Sequence, residues 1–194
     1  KGTRLFQSVF VWPYAIAAPA AGVAFRFIFA PEAGLVGAIN QVWPGIWNPA
    51  TNGLQALGMV IVCHSWLGIG YNFIFFLSGL QGIPASIREA ASIDCKSGTR
   101  RFWTVILPLL TPTAFFLLVI NMTYSLFDTF AVIDVIVKDK PANNPITLVY
   151  KVYLDGFRGN DLGSSSAQSV ILMLVVLVLT MIQFRFIERR VHYG

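Results

Sequence analysis

Few residues in this sequence can do chemistry, and most of those that can interrupt long apolar runs. In one run Asn121, Tyr124, Ser125 and Asp128 are spaced i, i+3, i+4 and i+7, which puts them on one face of a helix. In another, His64, Gly68 and Asn72 recur every four residues. Amides, a hydroxyl, a phenol, an imidazole and a carboxylate on such faces can line a path for a polar solute through an apolar medium. They can equally hydrogen-bond helix to helix, at about 0.6–2 kcal/mol per bond. From the residues alone both accounts stay open. No Lys or Arg stands at the centre of an apolar run, and Arg26, near the end of the first, is the one candidate for holding an anion there. Gln168 and Gln183 are lesser polar candidates on the last run. Catalysis has no comparable pattern: Asp128 and Asp134 lack the clustered His or carboxylates that a membrane-embedded enzyme needs. Cys63 lies in an apolar run and Cys95 in a polar loop, without metal-ligand spacing.

The elements that carry these residues follow from composition. Apolar residues make up 56% of the chain and charged residues 12%, against about 45–50% and about 25% in soluble domains. The apolar residues are blocked into runs, and the mean hydropathy is +0.67, so a membrane protein is expected. A helix needs about 20 residues to cross the hydrocarbon core. Four stretches qualify, at about 6–29, 54–80, 105–132 and 167–187. Pro13 and Pro19 predict a kink in the first, whose freed carbonyls must find partners in neighbouring helices. Trp43 and Trp47, in the segment between the first two stretches, suit an interfacial belt.

Charge sets a direction across the membrane. Lys1, Arg4, Arg88, Lys96, Arg100, Arg101, Arg185, Arg189 and Arg190 fall on one side with three acids, and five basic residues face six acids on the other. The basic side is expected to be cytoplasmic. That places both termini and the loop 81–104 in the cytoplasm. The net charge of +5 is therefore a membrane-topology signal and not a nucleic-acid one, because the basic residues sit beside apolar runs.

The loop reads QGIPASIREAASIDCKSGTRRFWTVILP. Pro84 suits a helix start, and Ile83, Ile87 and Ala90/Ala91 recur at helical spacing. Gly98 is expected to break this helix and Thr99 to cap the next. A helix of this kind can lie on the membrane surface, and its small residues at Ala90 and Ala91 also let another surface approach closely.

The loop resembles the EAA loop of binding-protein-dependent ABC importer permeases of type I. That pattern is Glu-Ala-Ala, three residues, Gly, nine residues, Ile, any residue, Leu-Pro. Here Glu89, Ala90, Ala91, Leu107 and Pro108 match, Asp94 lies in the turn, and Cys95 and Val105 replace the Gly and the Ile. The segments YNFIFFLSGLQGIP, FFLLVINMTYSLFDTFAVID, LVYKVYLDGF and SSAQSVILMLVVLVLT resemble the branch that serves sn-glycerol-3-phosphate importers, and the resemblance covers all 194 residues.

The resemblance implies an all-α polytopic transmembrane bundle, the core of a type I importer permease, with four of six expected spans in residues 1–194. It implies a bacterial inner-membrane subunit that conducts sn-glycerol-3-phosphate or glycerophosphodiesters. It implies a second permease subunit, a periplasmic substrate-binding protein and two cytoplasmic ATPase subunits, one of which presents a basic group to Glu89. The chain is then no enzyme by itself. It has no Walker A pattern, so ATP and magnesium belong to the ATPase. A sugar importer of the same family is the alternative. An ion-coupled secondary transporter is a more distant one, since no internal repeat is visible and only His64 is a midplane ionisable group.

Overall fold

The computed structural model describes residues 2–95, 97–137 and 147–190, with side chains from residue 7 to residue 185. Lys1, Lys96, Lys138, Asp139 and Lys140 of the charge count lie outside the described residues. So do the middle of the outer segment 133–166 and the last four residues of the chain. Among the described residues the regular elements are all helices, without strands.

The first apolar stretch is sharply bent at the predicted prolines. It is two helices, α1 (Gly2–Val11, extended by a 3₁₀ turn Trp12–Ala15) and α2 (Ala18–Ile28), bent by 104°. Two prolines explain the break. Pro13 opens the 3₁₀ turn and Pro19 sits in the first turn of α2, so neither supplies the amide that a continuous helix needs. The long helix α3 (Gly53–Gln81) follows, capped by Asn52, whose Oδ1 accepts from the Leu54 and Gln55 amides. The bend docks on α3 at Gly70. A Cβ there would lie 3.0 Å from the Phe10 and Val11 carbonyl oxygens and from the Tyr14 Cβ. Gly70→Val should therefore push α1 off α3. We expect a loss of about 1–3 kcal/mol, read as a lower melting temperature of the purified protein.

After α3 comes the short helix α4 (Ala85–Asp94), then α5 (Gly98–Val137). Cys95 caps the end of α4 and Ser97 the start of α5. Gly98 opens α5 instead of breaking α4, and Thr99 lies inside the helix, where Ser97 is the capping residue. Helix α5 is 40 residues long, about 60 Å at 1.5 Å per residue, and so exceeds a hydrocarbon core of about 30 Å. Near its start it passes through a π turn at Phe102–Ile106. A short helix α6 (Leu148–Tyr153) and a second π turn (Leu154–Arg158) lead into α7 (Leu162–Arg190). Three helices, Gly53–Gln81, Gly98–Val137 and the Leu162–Arg185 part of α7, are long and apolar enough to cross a membrane, and the bent pair α1–α2 makes a fourth if it counts as one span.

The buried core sits at one end of this bundle. Ala21 of α2, Met59, Val60 and Cys63 of α3, Val132, Ile133 and Ile136 of α5 and Tyr150 of α6 close on one another, so Cys63 is a packing residue. Trp47 is not a free belt residue: its indole Nε1 donates to the Phe29 carbonyl and its ring packs on Phe29, while Trp43 is exposed. Most of α7 is exposed on apolar side chains, Val170 to Phe184, as a lipid-facing or partner-facing helix must be.

The Tyr150 hydroxyl donates to Asp134 Oδ1 at 3.1 Å. Burial, then this bond and the charge of Asp134, push the phenol up to about 12 from its ordinary 10. The fold favours the neutral phenol, so its contribution is complete below pH 10 and is lost as pH rises through about 12. Thermal melts of wild type and Tyr150→Phe should show a steeper alkaline loss in wild type over that window, and parallel curves would refute the assignment.

Candidate functional site

Helices α3 and α5 run antiparallel, and the polar residues singled out by their spacing meet between them. Asn121 Nδ2 donates to Asn72 Oδ1 at 2.6 Å, and Asn72 Nδ2 returns a bond to Asn121 Oδ1 at 3.1 Å. Each amide also donates to the carbonyl four residues back on its own helix, Gly68 and Leu117. The pair fixes the register of the two helices. Gly79 fits the same register further along, where Thr113 Oγ1 would stand 2.9 Å from an added Cβ.

Two cavities flank this pair. One, of about 220 Å³, is lined by Tyr14, His64, Tyr71, Asn121, Tyr124 and Asp128, with Gly68 and the apolar Ile16, Ala18 and Leu67. The other, of about 440 Å³, is lined by His64, Asn72, Asn121 and Ser125 among others. The helical stripe is thus split. Tyr124 and Asp128 face the first cavity, Ser125 faces the second, and Asn121 and His64 border both. Ser125 is also occupied by its own helix, since its hydroxyl donates to the Met122 carbonyl.

Tyr14 and Tyr71 were not singled out in sequence. Tyr71 lies 6.0 Å from Tyr14 and 6.1 Å from Tyr124, ring centre to ring centre. Tyr14 reaches the cavity only because the chain bends at Pro13. The sole earlier signal for Tyr71 was its position three residues after Gly68, on the His64 face. Phenols of this kind offer a hydroxyl and a ring face, which suits a polyol.

No Lys or Arg lines either cavity. Arg26 is turned elsewhere, donating from Nη1 to the Val135 carbonyl at 3.2 Å. Gln183 is buried against Met122, and Gln168 donates to Asp155 and Ser164. Gln168 and Lys151 together hold the Asp155 carboxyl below its usual range. Among the described residues no group of His, Cys, Asp and Glu could hold a metal.

At the far end from the core, α4 is a helix of 10 residues with an exposed surface. Glu89, Ala90 and Asp94 are exposed, and Ile93 is 81% exposed. Cys95 ends the helix, with its Sγ 3.9 Å from Thr104 Oγ1. Leu107 and Pro108 follow the π turn and start the regular α-helical part of α5.

Residues 3–193 match the family of binding-protein-dependent transport system inner membrane components. The chain belongs to this family. It is 51% identical over 194 residues to an sn-glycerol-3-phosphate transport system permease protein UgpA of Brucella abortus, covering all of this chain and 66% of that protein. It is 49% identical over 193 residues to UgpA of Yersinia pseudotuberculosis, again with 66% of that protein covered. The chain thus spans just under two thirds of the length of these relatives. Its fold is that of a solved bacterial ABC transporter involved in alginate import, at TM-score 0.78 and 18% identity, covering 99% of this chain and 68% of that one. The same holds for an alginate transporter in complex with a periplasmic protein bound to an alginate pentasaccharide, at TM-score 0.75 and 18% identity, covering 96% of this chain and 65% of that one. The chain is accordingly a helical membrane protein of a transport-system family, and its fold is the one these two transporters share.

Proposed function

We propose that this chain forms one half of the translocation path of a bacterial ATP-binding-cassette importer for sn-glycerol-3-phosphate or glycerophosphodiesters. The observation that carries this is the identity of about half of all residues, over the whole chain, with UgpA subunits. The cavity beside Asn121 is where the cargo passes. Its phenols, amides, His64 and Asp128 suit the glycerol hydroxyls. With no cation among its lining residues, the phosphate is held by the second permease subunit.

The basic face of the chain is cytoplasmic in this reading. Helix α4 docks on one of two ATPase subunits through exposed Glu89, Ala90 and Asp94 and half-buried Cys95, while Ala91, expected with them, is buried on the opposite face. Leu107 and Pro108 carry the motion of α4 into α5, and ATP and magnesium stay on the ATPase. A periplasmic binding protein delivers cargo at the opposite face, where Phe157 is 80% exposed.

Reconstitution of the whole transporter in vesicles tests the reading. ATP-dependent uptake of labelled sn-glycerol-3-phosphate is expected, with competition by glycerophosphodiesters. Uptake of a sugar in its place would move the chain to the sugar branch of the family.

A further inference from the structure

Helix α4 has a second face, turned away from Glu89 and Ile93. There Ile83, Ile87 and Arg88 meet Arg101, Val105 and Leu109 of α5 around a groove of about 150 Å³. Ile83 is buried, and Ile87 and Leu109 are exposed apolar side chains. Among the described residues neither arginine pairs with a carboxylate.

The groove's depth is set by α5. Leu109 lies twelve residues before Asn121, about 18 Å along the helix. With Asn121 near the midplane, that is just past the edge of a core about 30 Å thick. The Leu109 end of the groove therefore opens at the headgroup layer, and Arg101, eight residues and about 12 Å further, lies on its cytoplasmic side. Trp103, 63% exposed and edge-to-face with Phe102, lies six residues, about 9 Å, beyond Leu109 towards the basic face.

We propose that this groove binds one anionic phospholipid, its phosphate between Arg88 and Arg101 and the start of an acyl chain against Ile87, Val105 and Leu109. Guanidinium groups recognise phosphate by paired hydrogen bonds, and basic pockets between helices at a cytoplasmic face take anionic headgroups. A protein surface is a poorer fit, since the face that α4 leaves open to a partner is the other one. The lipid would brace a helix that has little else under it. The inference rests on the membrane-spanning fold and the depth of the groove, and not on the cargo.

The test is native mass spectrometry of the whole transporter, reconstituted in equal phosphatidylglycerol and phosphatidylethanolamine and then extracted in mild detergent. Wild type should retain phosphatidylglycerol over phosphatidylethanolamine by at least tenfold. Combined Arg88→Gln and Arg101→Gln should remove that preference, and Arg185→Gln should keep it. Excess soluble glycerophosphate should not displace the lipid. Equal retention of the two lipids by wild type, which needs no variant, overturns the proposal. So does an unchanged preference in the double variant, or displacement by soluble phosphate. Lipid that is held by the permease pair alone but expelled when the ATPase joins would assign the groove to the ATPase instead. Co-purification of the ATPase, measured on the same samples, separates loss of lipid from loss of assembly.

Discussion

Glu89→Lys should abolish uptake by the assembled transporter while leaving the chain folded in the membrane. The side chain is exposed, and among the described residues it has no ion-pair partner. The Glu89 backbone carbonyl accepts from the Ser92 hydroxyl at 2.7 Å, a bond that the substitution leaves in place. A surface change of this kind alters folding by about 0.5 kcal/mol or less. At a docked interface the same reversal sets like charges together, at a cost of several kcal/mol. A cost of about 3 kcal/mol is more than a hundredfold in the docking equilibrium. Uptake should fall by at least that factor, with ATPase co-purification falling in parallel and expression and melting temperature unchanged. Glu89→Gln should fall less, because it loses the attraction without adding repulsion. Normal uptake by the lysine variant would leave α4 as a membrane-surface helix and nothing more.

Asn121→Leu should reduce transport at least tenfold and also destabilise the protein, and a second substitution separates the two effects. The single variant leaves Asn72 Oδ1 without the donor that stands 2.6 Å away in the wild type. An unsatisfied acceptor costs about 1–3 kcal/mol when buried, and the low end applies to half-buried Asn72, whereas replacing both partners by apolar groups can be nearly neutral. The double variant Asn72→Leu with Asn121→Leu should therefore regain much of the lost stability. It should not regain substrate-stimulated ATP hydrolysis, because the cavity beside Tyr124 and Asp128 has still lost its amide. Recovery of both stability and stimulation in the double variant would make the pair a packing device only. Asp128→Ala, which leaves the amide pair intact, should lower stimulation as well.

Much of this was legible along the chain because membrane solvation writes long, simple patterns. Apolar runs of spanning length, the basic bias of alternate loops and the spacing around Glu89-Ala90-Ala91 each need only local reading. The stripe Asn121, Tyr124, Ser125 and Asp128 was likewise visible from helical period. Its partition was not: Ser125 faces a different cavity from Tyr124 and Asp128, because a face about four residues wide is divided by the helix packed on it. The break at Pro13 and Pro19 was legible as a kink, but its angle of 104° depends on Gly70 letting the bend settle on α3.

The sequence by itself determined that the chain is a helical membrane protein, which side of it is basic and where its exposed Glu89 helix lies. These follow from hydropathy and charge, which act residue by residue. Tertiary structure alone decided that Asn72 and Asn121 pair, that Tyr14 and Tyr71 join His64 and Asp128 around one cavity, and that Trp47 turns inward to Phe29. Each of those depends on which helix faces which, and at what height. That is set by close packing and by the need to satisfy polar groups away from water, and neither can be read from one segment alone.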